Sequence, residues 1–182
     1  MRDCEREEIT GLVREAQAGN ARAFGSLVLR FRPAMLVVAS QVCPSYEVAD
    51  DAVQDAFLTA HRALASLHEP ARFGPWLATI VRNRVRRLAS DSFRVRTLPL
   101  HVLDEQLLRQ TPSLTASLPD MAIEGLPDGV RETMQLYYIQ EWGVGDIAAM
   151  LDRPVTTVKW QLHAGRALLR KQLGTDPETN EP

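Results

Sequence analysis

Apolar positions recur at helical spacing along most of this chain, and nowhere does the two-residue alternation of a half-buried strand run far enough to define one. Ile9 to Ala18 reads as a short first helix, ended by Gly19. Asn20 suits the N-cap of a second, in which Phe24, Leu27, Val28, Phe31, Met35, Val38 and Val42 form a single stripe. Pro33 lies inside that stripe and should kink or divide the helix, because its ring removes an N–H and crowds the preceding turn. A third helix from Tyr46 to Ser66 would turn Ala49, Ala52, Val53, Ala56, Phe57, Ala60 and Leu64 inward. A fourth, from about Ala71, carries Phe73, Trp76, Leu77, Ile80 and Val81. Residues 1–89 therefore have the pattern of a small helical bundle.

Across 90–119 the period fails: Pro99, Pro112 and Pro119 interrupt it, and the stretch reads as a flexible linker. A second helical domain is expected over 120–174, followed by an acidic tail at 175–182. Leu126-Pro127 opens a helix holding Val130, Met134, Leu136, Tyr137 and Ile139. Then come Ile147, Ala148 and Leu151, a break at Asp152-Arg153-Pro154, and a longer helix with Val155, Val158, Leu162 and Leu169 at core spacing. The fold class is all-α, with two small helical domains on a tether. The last two helices make a helix-turn-helix, the geometry that sets a helix in a DNA major groove. The outward face of the second would carry Thr156, Thr157, Lys159, Gln161, His163, Arg166 and Arg170, and no acid occurs between Asp152 and Asp176.

Charge sharpens this picture. The net charge is −2, so the chain as a whole is no polybasic coat. Its charges are segregated instead: Arg82, Arg84, Arg86, Arg87, Arg94 and Arg96 have only Asp91 for company, whereas the stretch from Asp104 to Glu132 is mostly acidic. Two basic segments flanking an acidic one point to two contacts with a polyanion. The two cysteines, Cys4 and Cys43, stand apart and without a Cys/His cluster, which argues against a disulfide framework or a metal site and for a reducing cytoplasm. Charged residues from Arg2 to Glu8 leave no signal-peptide core, and the apolar run Ala34 to Ala39 is too short to span a bilayer, so no membrane insertion is expected. No Gly-rich phosphate loop, nucleophile–base pair or metal cluster marks an enzyme, and no cofactor is implied.

On the third helix, Asp50, Asp51, Gln54 and Asp55 group on one side. A solvated face with acids near the helix start, where the macrodipole favours them, fits that grouping, and so does a docking face for a polar partner helix. Metal ligation by Asp51 and Gln54 fits poorly, for want of a second ligand set. On the fourth helix, Phe73 and Trp76 are core by spacing, yet the donors Arg82, Asn83, Arg84, Arg86 and Arg87 that follow suit melted DNA, whose bases stack and whose phosphates pair with arginine.

Taken in order, the motifs resemble bacterial RNA polymerase sigma factors. Ala49-Asp50-Asp51-Ala52-Val53-Gln54-Asp55-Ala56-Phe57 resembles their acidic-Gln-Phe motif, and Phe73-Gly74-Pro75-Trp76-Leu77-Ala78-Thr79-Ile80-Val81-Arg82-Asn83 looks like their promoter-melting helix. Leu126-Pro127, Asp146-Ile147-Ala148 and Thr157-Val158-Lys159 with Leu162-His163 are similar to their carboxy-terminal domain. A length that accommodates these two domains alone is similar to the extracytoplasmic-function class of the sigma-70 family. The resemblance implies a region 2-like bundle and a region 4-like helix-turn-helix in a transcription initiation factor. Its partners would be core RNA polymerase, double-stranded and melted promoter DNA, and an anti-sigma factor, in the cytoplasm and at the nucleoid when polymerase-bound. Carried over residue by residue, it assigns Asp50, Asp51, Gln54 and Phe57 to the core polymerase. Trp76, Arg82, Asn83 and Arg86 fall to the minus-ten element, and Thr156, Thr157, Lys159, Gln161, His163 and Arg166 to the minus-thirty-five element.

The chain departs from the family pattern in places. Where the family usually has Ser-Arg after Thr-Val-Lys, Trp160-Gln161 stand here; where it has Arg-Ala, Ala164-Gly165 stand, at a mid-helix cost of roughly 1 kcal/mol for the glycine. Glu141 holds the place of a customary Gly, and Gly143 that of a Ser. Gln161 is the residue placed to read a base, and Trp160 either packs back on the first helix of the motif, as the phase of Val158 and Leu162 favours, or lies along the groove wall. Two rival classes are a helix-turn-helix regulator and a sigma-like interaction protein that binds polymerase or an anti-sigma factor without starting transcription.

Overall fold

The computed structural model describes residues 3–41, 43, 45–95 and 122–172, and among them no strand occurs. Val42, the linker core at 96–121 and the tail from 173 lie outside the described residues. Helix α1 spans Asp3–Gln17, starting earlier than the apolar period alone predicts. It ends at Gly19, whose φ of 93° is the left-handed conformation, and the Asn20 and Gly19 amides donate back to the Glu15 and Ala16 carbonyls, each at 3.0 Å. Asn20 then caps α2 (Ala21–Ser40), its side chain accepting from the Arg22 and Ala23 amides. Pro33 does not divide α2, which runs unbroken through it.

Helix α2 is also long and apolar enough, by composition, to cross a membrane. Its Ala23, Leu27, Phe31, Ala34, Met35, Val38 and Ala39 are buried, against α1, α3 and α4. Helix α3 spans Tyr46–Ala63 and tightens into a 3₁₀ turn at Leu64–Ser66, with every residue of the expected inward stripe buried. After a second 3₁₀ turn at Pro70–Arg72, α4 runs Phe73–Val95 with Phe73, Leu77 and Val81 buried and Trp76 and Ile80 packed at the margin.

In the second half, α5 covers Asp128–Met134 and continues as a π turn at Gln135–Ile139. The wider turn shifts the helical phase, so Leu136 stays buried while Tyr137 and Ile139, expected inside, come out 38% and 40% exposed. Glu141 takes φ 56°, which explains why glycine suits that place. Helix α6 (Val144–Leu151) closes on Asp152, itself left-handed at φ 55°, and α7 follows over Val155–Gln172. Ile147, Ala148 and Leu151 of α6 and Val158 and Leu162 of α7 form the core predicted for them, whereas Val155 is 44% exposed.

Gly165 has a packing role. A Cβ there would meet Met134 Cγ and Sδ at 2.7 Å and Val130 Cγ1 at 3.0 Å, so α7 crosses α5 with no room for a methyl group unless those side chains shift. Helix propensity alone would have Gly165→Ala stabilise by about 1 kcal/mol. We expect it to destabilise instead, by roughly 1–3 kcal/mol from overpacking, as a lowered urea midpoint of the full chain. An unchanged or raised midpoint would show that Met134 yields freely.

Candidate functional site

The polar face of α3 splits into two kinds of residue. Asp50 pairs with Arg32 of α2 and Asp55 with Arg84 of α4, so these two acids stitch the bundle together. Asp51 and Gln54 stay exposed on the same face. Phe57 is buried, 6% exposed, at the floor of a trough of about 590 Å³. Phe24, Val28 and Leu58 give the trough apolar walls, and Asp50, Gln54 and His61 rim it. Phe24 and His61 meet edge-on at 4.7 Å, which fixes one end. A groove of this kind takes a helix that brings a few apolar residues between polar ones.

Along α4, Trp76, Thr79, Asn83 and Arg86 recur on one face. Trp76 leans on Phe73 at 5.9 Å between centroids, yet part of its ring lines a cleft of about 470 Å³ with His68, Glu69, Arg72 and Thr79. It is at once core margin and cleft wall. Asn83 and Arg86 are exposed. Arg82 lies apart from them: half-buried at the edge of that face, it donates to the Met150 carbonyl at the end of α6 and to Thr79 Oγ1 at 3.2 Å. Burial pushes its guanidinium down from its usual value, partly offset by Asp152. A sequence reading cannot find that contact, because the partner is a backbone carbonyl of the other half.

The two halves meet along this seam. The Trp142 ring, 2% exposed, lies 5.0 Å from the Phe31 ring and 5.1 Å from the Arg30 guanidinium carbon. At Gly74 a Cβ would come within 2.9 Å of Phe31 and 3.8 Å of Met150 Sδ, so α4 and α6 approach closely. Arg6 bridges to Asp146 at 3.0 Å.

On α7 the face is largely as expected: Thr156, Lys159, His163, Arg166 and Arg170 are exposed and Thr157 is half-buried. Gln161 is not on it. It is 8% exposed, and its Oε1 accepts from Thr133 Oγ1 at 2.8 Å and from Arg153 at 3.4 Å. At about 100° per residue, Gln161 lies roughly 140° round the helix from Thr156, with Val158 and Leu162 as neighbours. It belongs to a buried polar knot in which Arg153 also holds Glu132 at 2.8 Å and the Gly129 carbonyl at 3.1 Å. Trp160 reverses the other way: it does not pack back on α6 and is 64% exposed. Among the described residues no cluster of His, Cys, Asp and Glu could hold a metal ion.

Comparisons with known proteins agree on one family. The model for Sigma-70 region 2 matches residues 27–94, and that for Sigma-70, region 4, matches 120–169. The protein described as "Probable RNA polymerase sigma factor RfaY" of Xanthomonas campestris pv. campestris is 30% identical over 169 residues, 87% of this chain but only 42% of that protein. The ECF RNA polymerase sigma factor SigW of Bacillus subtilis is 27% identical over 180 residues, covering 88% of this chain and 94% of SigW. Among solved structures, CnrH in complex with the cytosolic domain of CnrY superposes with a TM-score of 0.58 at 28% identity, over 93% of this chain and 99% of that one.

Proposed function

The chain belongs to the sigma-70 family, in its extracytoplasmic-function class, and from that premise we propose how its exposed faces divide the work of a transcription initiation factor. Asp51 and Gln54, with Phe57 at the floor of the trough beside them, dock a helix of the core RNA polymerase. Asn83 and Arg86, with Trp76 at the cleft, take the minus-ten element as it opens: the amide and guanidinium donors hold base edges and phosphates, and the indole offers a stacking surface. Arg82 joins them once it leaves the Met150 carbonyl. Thr156, Thr157, Lys159, His163 and Arg166 meet the minus-thirty-five element, with the cations on phosphates. Gln161 is left out of this face and keeps its role in the knot beneath it. The domains that divide this work are residues 1–89 and 120–174, joined by 90–119. The chain brings no catalytic group; the polymerase does the chemistry, in the cytoplasm. An anti-sigma factor would act by covering the same trough or the α4 face.

The observation that carries this reading is the contrast on α3. Of four polar residues on one face, two are spent on internal ion pairs and two are left at the surface beside an apolar trough. A helix face built only for solvation needs no trough next to it. Asp51→Arg with Gln54→Ala should therefore weaken core polymerase binding by tenfold or more. The thermal midpoint of the full chain should barely move, because neither side chain supports the fold. Unaltered affinity in a titration of labelled protein with core enzyme would sink the assignment. A parallel measurement separates the α4 role: Asn83→Ala should slow open-complex formation on linear duplex more than on a pre-melted bubble, and equal losses would count against it.

A further inference from the structure

We propose that Trp160 is the base-reading residue of α7, and that it recognises the C5-methyl group of a thymine in the upstream promoter element. This rests on the reading of α7 as the helix that enters the major groove. Trp160, at 64%, is the most exposed large apolar residue of α7, ahead of Val155 at 44%, and it projects between Thr156 one turn before and His163 one turn after. Lys159 flanks it and Arg166 follows along the face, with no acid anywhere on α7. The indole is thus the one broad apolar surface on a face otherwise suited to phosphates.

The geometry of the neighbouring position removes the main competitor. Gln161, the side chain with an adenine-matching amide, is locked below the surface by Thr133 and Arg153 and cannot reach a base edge while α7 stays packed on α5. Direct readout by this helix then falls to Thr156, Thr157, Lys159, Trp160, His163 and Arg166, of which Trp160 alone offers a broad apolar surface. Of the groups a major groove presents, only the thymine methyl is apolar, and apolar contact is what an indole edge offers best. Gly165, on the opposite side of α7 from Trp160, packs against Met134 and Val130, so the helix presents Trp160 away from α5.

The test uses the full chain assembled with core RNA polymerase and a promoter library randomised across the upstream element. The wild-type holoenzyme should enrich a thymine at one upstream position, and replacing that thymine by deoxyuridine, which removes only the methyl, should weaken binding roughly three- to fivefold. Trp160→Ser should lose the enrichment at that position and bind thymine and deoxyuridine templates alike, while its minus-ten preference and core affinity stay as in the wild type. Trp160→Phe should retain most of the preference. If Trp160→Ser selects the same upstream sequence as the wild type, or if deoxyuridine penalises both proteins equally, the inference is overturned while the DNA-reading role of α7 stands. If the wild type itself enriches a minus-ten element and no upstream sequence at all, that role fails and the inference with it.

Discussion

Arg153→Ala should cost the fold about 3–5 kcal/mol, the loss expected when one partner of a buried ion pair is removed and the other stays behind. Glu132 is 5% exposed, and Arg153 is its charge partner at 2.8 Å. The same guanidinium supports the Gly129 carbonyl and Gln161 Oε1, so truncation leaves three acceptors short of a donor. The pH dependence supplies the sharper check. Burial pushes the Glu132 carboxyl above its usual value, with Arg153 pulling it part of the way back. A carboxyl whose pKa is higher in the folded than in the unfolded state binds its proton more readily when folded. Its contribution is therefore most favourable below the ordinary carboxylate range, and stability is lost as pH rises through the folded value. Without Arg153 that value rises further, because the burial penalty is then opposed only by the weaker pull of Arg131. The gap in urea midpoint between wild type and Arg153→Ala should accordingly be wide near pH 7 and narrow below about pH 5. A gap that is constant across that range would mean that Glu132 stays charged without its partner, against the electrostatic account.

This knot also shows where a sequence stops being legible. The α2, α3 and α4 stripes could be read because a helical period is local: each buried residue announces itself through neighbours three and four positions away. Asn20 was legible for the same reason, since a cap bonds amides two and three residues on. Gln161 is the counter-example, because its chemistry points to the groove while its phase points to the core. An amide on a cationic helix looks like a base reader, and the partners that bury it, Thr133 and Arg153, lie on other elements. The π turn at Gln135–Ile139 likewise rotates Tyr137 and Ile139 out of the stripe without any sequence signal that a 3.6-residue period would register. Gly165 looked like a propensity cost because its benefit, contact with Met134 and Val130, exists only after α5 and α7 have met. The acidic-Gln-Phe face was legible as a grouping, yet the division of labour within it depends on Arg32 and Arg84, which reach it from α2 and α4. Arg82 follows the same rule: its place on the α4 helix was readable, its engagement with Met150 was not.

Trp142→Ala should loosen the seam between the two halves, with a stability loss of about 3–5 kcal/mol for truncating a buried tryptophan. The ring fills the space between Phe31 and Arg30, so its removal leaves a cavity at the seam. Arg6–Asp146 cannot substitute for it: at 49% and 20% side-chain exposure, that pair is screened by solvent and worth little. Trp142→Phe separates shape from polarity. The indole N–H is buried without an acceptor among the described residues, so phenylalanine keeps much of the ring contact and removes an unpaired donor. We expect Trp142→Phe to cost well under half of what Trp142→Ala costs, because the phenyl ring leaves only part of the cavity. Small-angle scattering of the full chain should show a larger radius of gyration for Trp142→Ala and an unchanged one for Trp142→Phe. Opening would also release Arg82 from the Met150 carbonyl, because that bond exists only while α6 rests on α4. The alanine variant should then bind a pre-melted minus-ten strand at least as well as the wild type despite its lower stability. If its radius and midpoint both match the wild type, the seam is held by the Gly74–Met150 approach and not by Trp142.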